Sequence, residues 1–453
     1  MSNMIVIGGG PAGVTAALEG ARLGFSVQLV SAEKPGGRAN WHSLLPSKVY
    51  LAAADHLVEN RNAAQYGLTG TQFNPDLSLI RQIIRDQAER WGQFLANQLE
   101  AAGVEVILGQ AAFANDYQVQ IQKEDDTGML LDFDKAMIAT GSVPIFPKML
   151  KPDGRSILAP RFASKLTRIP EQVIVVGGGV TGSEFAFLFN TLGSRVTWIT
   201  DLDRMLPRVD PDVSAILETA LASQGINIVK SSPAQAAVAD LGGVVVTLAG
   251  GKAVAGNQAF IAVGRKADID KLGLDRTGIM AGPNGILISE YCQTNIPGIY
   301  AVGDAAGPPF ITNRGQVQAF IAARHAAGDH TRPFESRMVV EAVYTNPQVA
   351  SVGLSEIQAK KEGISIEVHQ IEYPQVLKSR LKHSFPGYLK LISDPKDGII
   401  LGGAAIGAQA ADLMSSVAMA MLGNLTIDAI RYLFPAYPTF SELITEAARG
   451  YYS

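Results

Sequence analysis

A single cysteine, Cys292, stands in this 453-residue chain, which excludes an intrachain disulfide and any Cys-rich metal site. Histidine is scarce too. The six, at positions 42, 56, 325, 330, 369 and 383, show no metal-ligand spacing, so no metal is expected. Neither charge sign dominates: 38 Lys and Arg face 42 Asp and Glu for a net −4, with no basic cluster that would track a phosphate backbone. Nucleic acid is therefore not an expected partner. No apolar run reaches the roughly 18 residues of a membrane span, and no basic, apolar and cleavage-site order precedes Met4. A soluble cytoplasmic protein without a signal peptide is expected.

What the chain does have is 47% hydrophobic residues and 46 glycines, the composition of a turn-rich α/β protein. The length suits about three domains, each with its own core.

Met4-Ile5-Val6-Ile7 reads as a short buried strand running into Gly8-Gly9-Gly10-Pro11-Ala12-Gly13 and then a helical pattern from Val14 to Leu23. Strand, glycine turn and helix in that order form a dinucleotide fingerprint. Gly8 makes the turn, Gly10 admits a pyrophosphate and Gly13 packs helix on strand, while the helix N-terminus faces the phosphates. An acid about 20 residues on, at the next strand tip, would hydrogen-bond a ribose. Here Val27–Val30 is that strand, with Ser31 at its tip and Glu33 two residues later. The Ser31 hydroxyl can take the bond, Glu33 can swing in, or Glu33 is a solvated loop carboxylate.

The pattern recurs. Val173–Val176 leads into Gly177-Gly178-Gly179-Val180-Thr181-Gly182, a helix from Ser183 to Leu192 and the strand Val196–Ile199. Two such units imply two dinucleotides. At the second strand tip Thr200 holds the position of the ribose acid, Asp201 could serve for NAD, and Arg204 could pair with a 2′-phosphate; the balance leans to NADH. Small-residue turns, Ala139-Thr140-Gly141-Ser142 and Ala262-Val263-Gly264-Arg265, follow the two units and let backbone pass close to a cofactor. A third signal is the apolar strand ending in Gly303-Asp304-Ala305-Ala306, which delivers a carboxylate where a helix can start and a flavin's ribityl and phosphate could lie.

On these residues the chain resembles, over essentially its whole length, the class I pyridine nucleotide-disulfide oxidoreductases, the group of dihydrolipoamide dehydrogenase, glutathione reductase and mercuric reductase. The resemblance implies an α/β fold of two Rossmann-like dinucleotide-binding domains, for FAD and NAD(P), plus a C-terminal α+β dimerisation domain. The expected boundaries are 1–145 with 270–330, 146–269 and 334–453. Tyr344 to Gly353 and Gly402 to Asp412 resemble the family's dimerisation domain, and Leu413 to Leu422 reads as an interface-like apolar stretch. A homodimer is implied. By position Gly8, Gly10, Gly13, Ser31, Glu33, Gly37, Lys48, Ala139, Thr140, Gly141, Gly303 and Asp304 would surround FAD. Gly177, Gly179, Gly182, Thr200, Asp201 and Gly264 would hold NAD(P)H.

The family pairs a lysine after its redox helix with a glutamate after the second glycine loop, next to the flavin N5. Here those are Lys48 and Glu184, so the hydride half looks intact. The thiol half does not. In Gly36-Gly37-Arg38-Ala39-Asn40-Trp41-His42-Ser43-Leu44-Leu45-Pro46-Ser47-Lys48 the family's distal cysteine is Ala39 and its proximal cysteine is Leu44. The partner-supplied His-Glu pair reads Tyr437 and Glu442. A tyrosine with an ordinary pKa near 10 is a poor base but a good hydrogen-bond donor. His42 could protonate a reduced acceptor and Trp41 could stack on one, or both only pack. Cys292 reads as an inert packed thiol.

The expectation is an FAD-dependent NAD(P)H oxidoreductase that hands electrons directly to a non-disulfide acceptor, such as a quinone or small electron carrier. The alternatives are a flavin-dependent dehydrogenase using NAD as acceptor and a degenerate flavoprotein acting as a binding or assembly subunit.

Overall fold

The computed structural model describes residues 2–451 apart from 71, 124, 241, 331 and 384–386; residues 452 and 453, expected to end the dimerisation domain, lie outside the described residues. The chain opens with strand β1 (Asn3–Ile7), whose Met4–Ile7 are all 3% exposed or less. An uninterrupted apolar run of this kind belongs to a parallel strand covered on both faces. Helix α1 (Pro11–Arg22) follows with proline in its first turn, where the missing N–H costs no helical bond, and strand β2 (Ser26–Ser31) returns beside β1. Next come α2 (Gly37–Trp41), α3 (Leu44–Asn62) and the long helix α4 (Leu77–Ala101), capped by the Asp76 carboxylate, which accepts from the Ser78 and Leu79 amides. Strand β3 (Glu105–Leu108) completes one edge of a five-stranded parallel sheet in the order Ile299–Ala301, Lys135–Ile138, β1, β2, β3.

A second five-stranded parallel sheet runs Asn227–Val229, Arg195–Ile199, Gln172–Val176, Gln258–Ile261, Ile157–Leu158. It carries helices α5 (Val180–Leu192) and α6 (Pro211–Ser223). Phe185, Phe187, Phe189 and Phe260 are fully buried, and Phe185 stacks on Phe260 with centroids 4.1 Å apart. Ser142–Pro144 and Arg265–Ala267 pair in a separate two-stranded antiparallel ribbon. Helix α7 (Thr312–Ala326) packs on α1 through small residues: a Cβ at Gly315 would stand 3.2 Å from the Ala12 Cβ.

The C-terminal unit is a five-stranded antiparallel sheet in the order Glu341–Val343, Gln348–Gly353, Ile400–Gly407, Tyr388–Ser393, Glu367–Glu372. Helix Ala410–Leu422 covers one part of it and helix Glu442–Arg449 another. The apolar stretch 413–422, expected to face a partner, mostly serves this unit's own core: Leu413, Met414, Val417 and Met421 are 5% exposed or less. Helical periodicity turns one stripe of the run onto the sheet and leaves Met419 and Leu422 outside. No helix among the described residues is long and apolar enough to cross a membrane.

Candidate active site

The first glycine loop is shaped by close backbone approach. Gly8 has φ +114, its N–H donates to Val30 O at 2.7 Å, and a Cβ there would stand 2.3 Å from Ala139 O. A Cβ on Gly13 would fall 1.7 Å from Gly8 O, so helix and turn can meet only through glycine. Gly10 differs: nothing lies within 4 Å of where its Cβ would be, and it caps the N-terminus of α1. That open face, where amides and helix dipole converge, suits a pyrophosphate. Gly37 closes the loop from α2, with φ +53, and a Cβ there would clash with the Gly10 backbone at 2.9 Å.

Ser31 is buried, and its Oγ accepts from the Gly9 and Glu33 amides, so it braces the loop from below. Among the described residues Glu33 Oε2 is buried without a hydrogen bond, and His42 Nε2 lies beside it at 3.4 Å. The Thr140 hydroxyl, in the Ala139–Ser142 turn, is likewise buried with no partner among the described residues. Unsatisfied buried polar atoms beside an open glycine cradle fit a bound dinucleotide such as FAD. At the strand end Asp304 accepts from Ser142 Oγ, which also receives Arg265 Nε at 2.8 Å. Burial pushes Asp304 above the usual carboxylate range, against the Ser142 bond and the charges of Arg265, Arg314 and Arg38. Gly303, with φ +62, donates to Gln318 of α7.

The second loop repeats the geometry: Gly177 has φ +124 with Ala262 O 2.2 Å from a built Cβ, Gly182 would strike Gly177 O, and Gly179 is open. Trp198, fully buried, donates its indole N–H to Gly177 O at 2.9 Å and pins the turn. Thr200 is buried under Gly178 as Ser31 is under Gly9, and its Oγ1 accepts from Leu202 N. Asp201 is exposed, Arg204 Nη2 donates to Pro207 O, and Arg204 Nε is buried without an acceptor among the described residues. Gly264, φ +142, lies next to Ile145.

Lys48 and Glu184 meet as their positions suggested. Lys48 Nζ is 2.7 Å from Glu184 Oε1, the carboxylate nearly buried and the lysine about one-third exposed. The same oxygen accepts from the Tyr344 amide at 3.1 Å, and the ammonium lies 4.2 Å from the Tyr344 ring centroid.

The stretch that reads as one helix is an elbow. α2 ends at Trp41, and the chain turns at Ser43 before α3. Arg38 O gathers the amides of His42 and Ser43 and the Ser43 hydroxyl. The Trp41 indole donates to the Lys34 and Pro35 carbonyls, and its ring presses against Gly92 of α4, so it packs rather than offering a face to an acceptor. Of the two thiol positions Ala39 is half-buried and Leu44 is 41% exposed. His42 turns toward Glu33 at the tip of β2, so its partner is that carboxylate and not the Lys48–Glu184 pair.

Among the described residues, neither Tyr437 nor Glu442 makes a hydrogen bond or ion pair with Lys48 or Glu184. Tyr437 is 72% exposed and makes no hydrogen bond among the described residues, and Glu442 accepts from the Thr439 amide. Cys292 is fully buried, and burial pushes its thiol up to about 12, the Arg314 charge opposing. A buried thiol with a raised pKa is a poor nucleophile near neutral pH.

The pyridine nucleotide-disulphide oxidoreductase family model matches residues 2–327, and that family's dimerisation domain matches 339–448. The chain belongs to this family. Relatives include a dihydrolipoyl dehydrogenase of Bacillus subtilis strain 168, 31% identical over 98% of this chain and 97% of that protein. An NAD(P)H dehydrogenase (quinone) of Mycobacterium tuberculosis is 30% identical over 99% of this chain and 94% of its own length. Among solved structures, LpdA from Mycobacterium tuberculosis aligns with TM-score 0.94 at 29% identity, covering 99% of both chains.

This member of the class I pyridine nucleotide-disulphide oxidoreductases therefore carries the Rossmann-like nucleotide-binding domains and an antiparallel dimerisation domain, which implies a homodimer. The family binds FAD and NAD(P)H. This chain lacks the family's cysteine pair, having one cysteine in all. Arg38 donates to Thr140 O at 2.7 Å and pairs with Asp268, and Ser142, Arg265 and Arg314 surround Asp304, although none of the four stands among the site residues expected from sequence. Ser142 and Arg265 end the two small-residue turns, and that placement was the available signal. Arg38 and Arg314 carry no motif.

Proposed function

We propose that this chain is an FAD-dependent NAD(P)H oxidoreductase that passes reducing equivalents directly to a non-disulfide acceptor, a quinone or another small electron carrier, without a thiol relay. The observation that carries this reading is the complete Lys48–Glu184 pair standing one helical turn beyond Leu44, in a site whose thiol positions hold Ala39 and Leu44. FAD, when bound, supplies the ring that takes hydride from the nicotinamide and gives electrons to the acceptor.

The chain supplies binding, charge and shape. The open faces of Gly10 and Gly179 take the two pyrophosphates, Asp304 the flavin's polar chain, and Asp201 the NADH ribose, which makes NADH the preferred donor. Lys48 brings a positive charge to the site as the ion-pair partner of Glu184. Ala39 and half-exposed Leu44 put apolar side chains where thiols would stand, which suits an uncharged acceptor. From the second subunit Tyr437 donates a hydrogen bond to an acceptor oxygen, with Glu442 fixing the turn that carries it. His42 is assigned to steadying Glu33 beside the first cradle, since its ring lies 3.4 Å from that carboxylate. The Mycobacterium tuberculosis relative named for quinone reduction supports the acceptor class.

The test is anaerobic mixing of the flavin-loaded protein with NADH and with NADPH, then with a quinone, lipoamide or glutathione disulfide. The flavin should bleach and recover with the quinone alone. A flavin that stays oxidised for hours under excess of both nucleotides overturns the reading.

A further inference from the structure

We propose that Tyr344, at the start of the dimerisation domain, is a positioning residue for Lys48. This rests on the reading of Lys48–Glu184 as part of the hydride site. One residue here touches both charges: the Tyr344 amide donates to Glu184 Oε1 at 3.1 Å, and the ring centroid lies 4.2 Å from Lys48 Nζ. The same carboxylate oxygen accepts the Lys48 ammonium at 2.7 Å, so three groups from α3, α5 and the C-terminal sheet converge on one point.

A lysine held through one oxygen retains most of its rotamers, because its stem is long and its three N–H donors rotate freely. A π-face on a second side removes that freedom, since a cation is attracted to the ring quadrupole wherever it lies within about 6 Å of the centroid. The hydroxyl plays no part in the contact: it makes no hydrogen bond among the described residues, and Tyr344 as a whole is 39% exposed. Burial raises the phenol's pKa, with Glu184 and Asp412 adding, so the ring stays neutral and keeps its affinity for a cation. The ring is thus the working part and phenylalanine should replace it. An aliphatic or amide side chain should not, although the backbone donor to Glu184 survives every substitution.

Three variants of the flavin-loaded dimer test this: Tyr344→Phe, Tyr344→Leu and Tyr344→Gln, with Lys48→Met as control. Two quantities are read, the anaerobic rate of flavin reduction by NADH and the flavin midpoint potential. Tyr344→Phe should stay within about twofold of the parent. Tyr344→Leu and Tyr344→Gln should be about tenfold slower and show a more negative potential, because the reduced ring loses a fixed cation. Tyr344→Gln carries the comparison where the leucine variant fails to fold. Parent-like rate and potential in a non-aromatic variant, with Lys48→Met slow, overturn the role of Tyr344 alone. Lys48→Met at the parent rate overturns instead the reading of the pair on which it rests.

Discussion

Lys48 and Glu184, 136 residues apart in sequence, meet at 2.7 Å and tie α3 to α5. The pair is lopsided: the carboxylate side chain is 6% exposed, the lysine 35%. Removing one partner is therefore a different experiment from removing the other.

Lys48→Met should slow flavin reduction at least tenfold and lower stability by about 1–3 kcal/mol, because Glu184 keeps only the Tyr344 amide in a nearly closed site. Glu184→Gln should slow reduction comparably but cost under about 1 kcal/mol, since the lysine can return to water. Stopped-flow absorbance and chemical denaturation measure the two quantities. Equal stability losses would show that the exposure difference does not govern the pair.

Anaerobic NAD(P)H should reduce the protein in one two-electron step, with no long-wavelength thiolate-to-flavin band, since Leu44 has no lone pair to donate. Cys292→Ser should leave the NAD(P)H-dependent rate within a few-fold of the parent, because a buried thiol with a pKa near 12 takes no part. Uptake of a second electron pair would reveal a redox group that the chain's single cysteine cannot supply.

Both glycine cradles were legible because their constraints are local: a backbone that passes within 3 Å of a neighbouring carbonyl leaves glycine as the fitting residue, and it recurs at fixed spacing. The Lys48–Glu184 pair was legible only through resemblance. Nothing in either residue's neighbourhood along the chain announces a partner 136 positions away. His42 and Trp41 stayed ambiguous for the same reason, because an elbow at Ser43 and a glycine at position 92 decide where the two rings go. The run 413–422 misled because composition says that a helix is apolar, while only the facing sheet says which stripe is core.

Lys390 was invisible to any motif, yet it is fully buried on the C-terminal sheet and meets Asp210 at 2.9 Å and Asp212 at 3.1 Å at the start of α6, with Glu356 also bound. Burial works against its charge, but Glu356, Asp210 and Asp212 outweigh it and raise its pKa. Lys390→Met leaves Asp210, 3% exposed, without its counter-ion, an expected loss of about 3–5 kcal/mol. Adding Asp210→Asn should recover part of that loss. A double variant no more stable than the single one would show that the cluster does not act as a charge pair between the nucleotide-binding and C-terminal units.

Asp55 carries the pH prediction. It lies on α3 seven residues after Lys48, half-buried, with no hydrogen bond or ion pair among the described residues. Burial, then repulsion from Glu59, raises its pKa from 3.8 to about 6, against the attraction of His56. A carboxyl raised in the fold means that the native state binds more protons than the unfolded chain between these values. Its contribution is therefore fully present below about pH 4 and lost as the pH rises through 6. At pH 8 the fold holds a carboxylate where a neutral group is preferred. Asp55→Asn should then raise Tm by about 1–2 °C at pH 8, the size expected of a partly solvent-screened charge, and leave it unchanged at pH 4. Thermal melts across that range decide it: a gain equal at both pH values would come from the helix or its packing, and the titration of Asp55 would not be its cause.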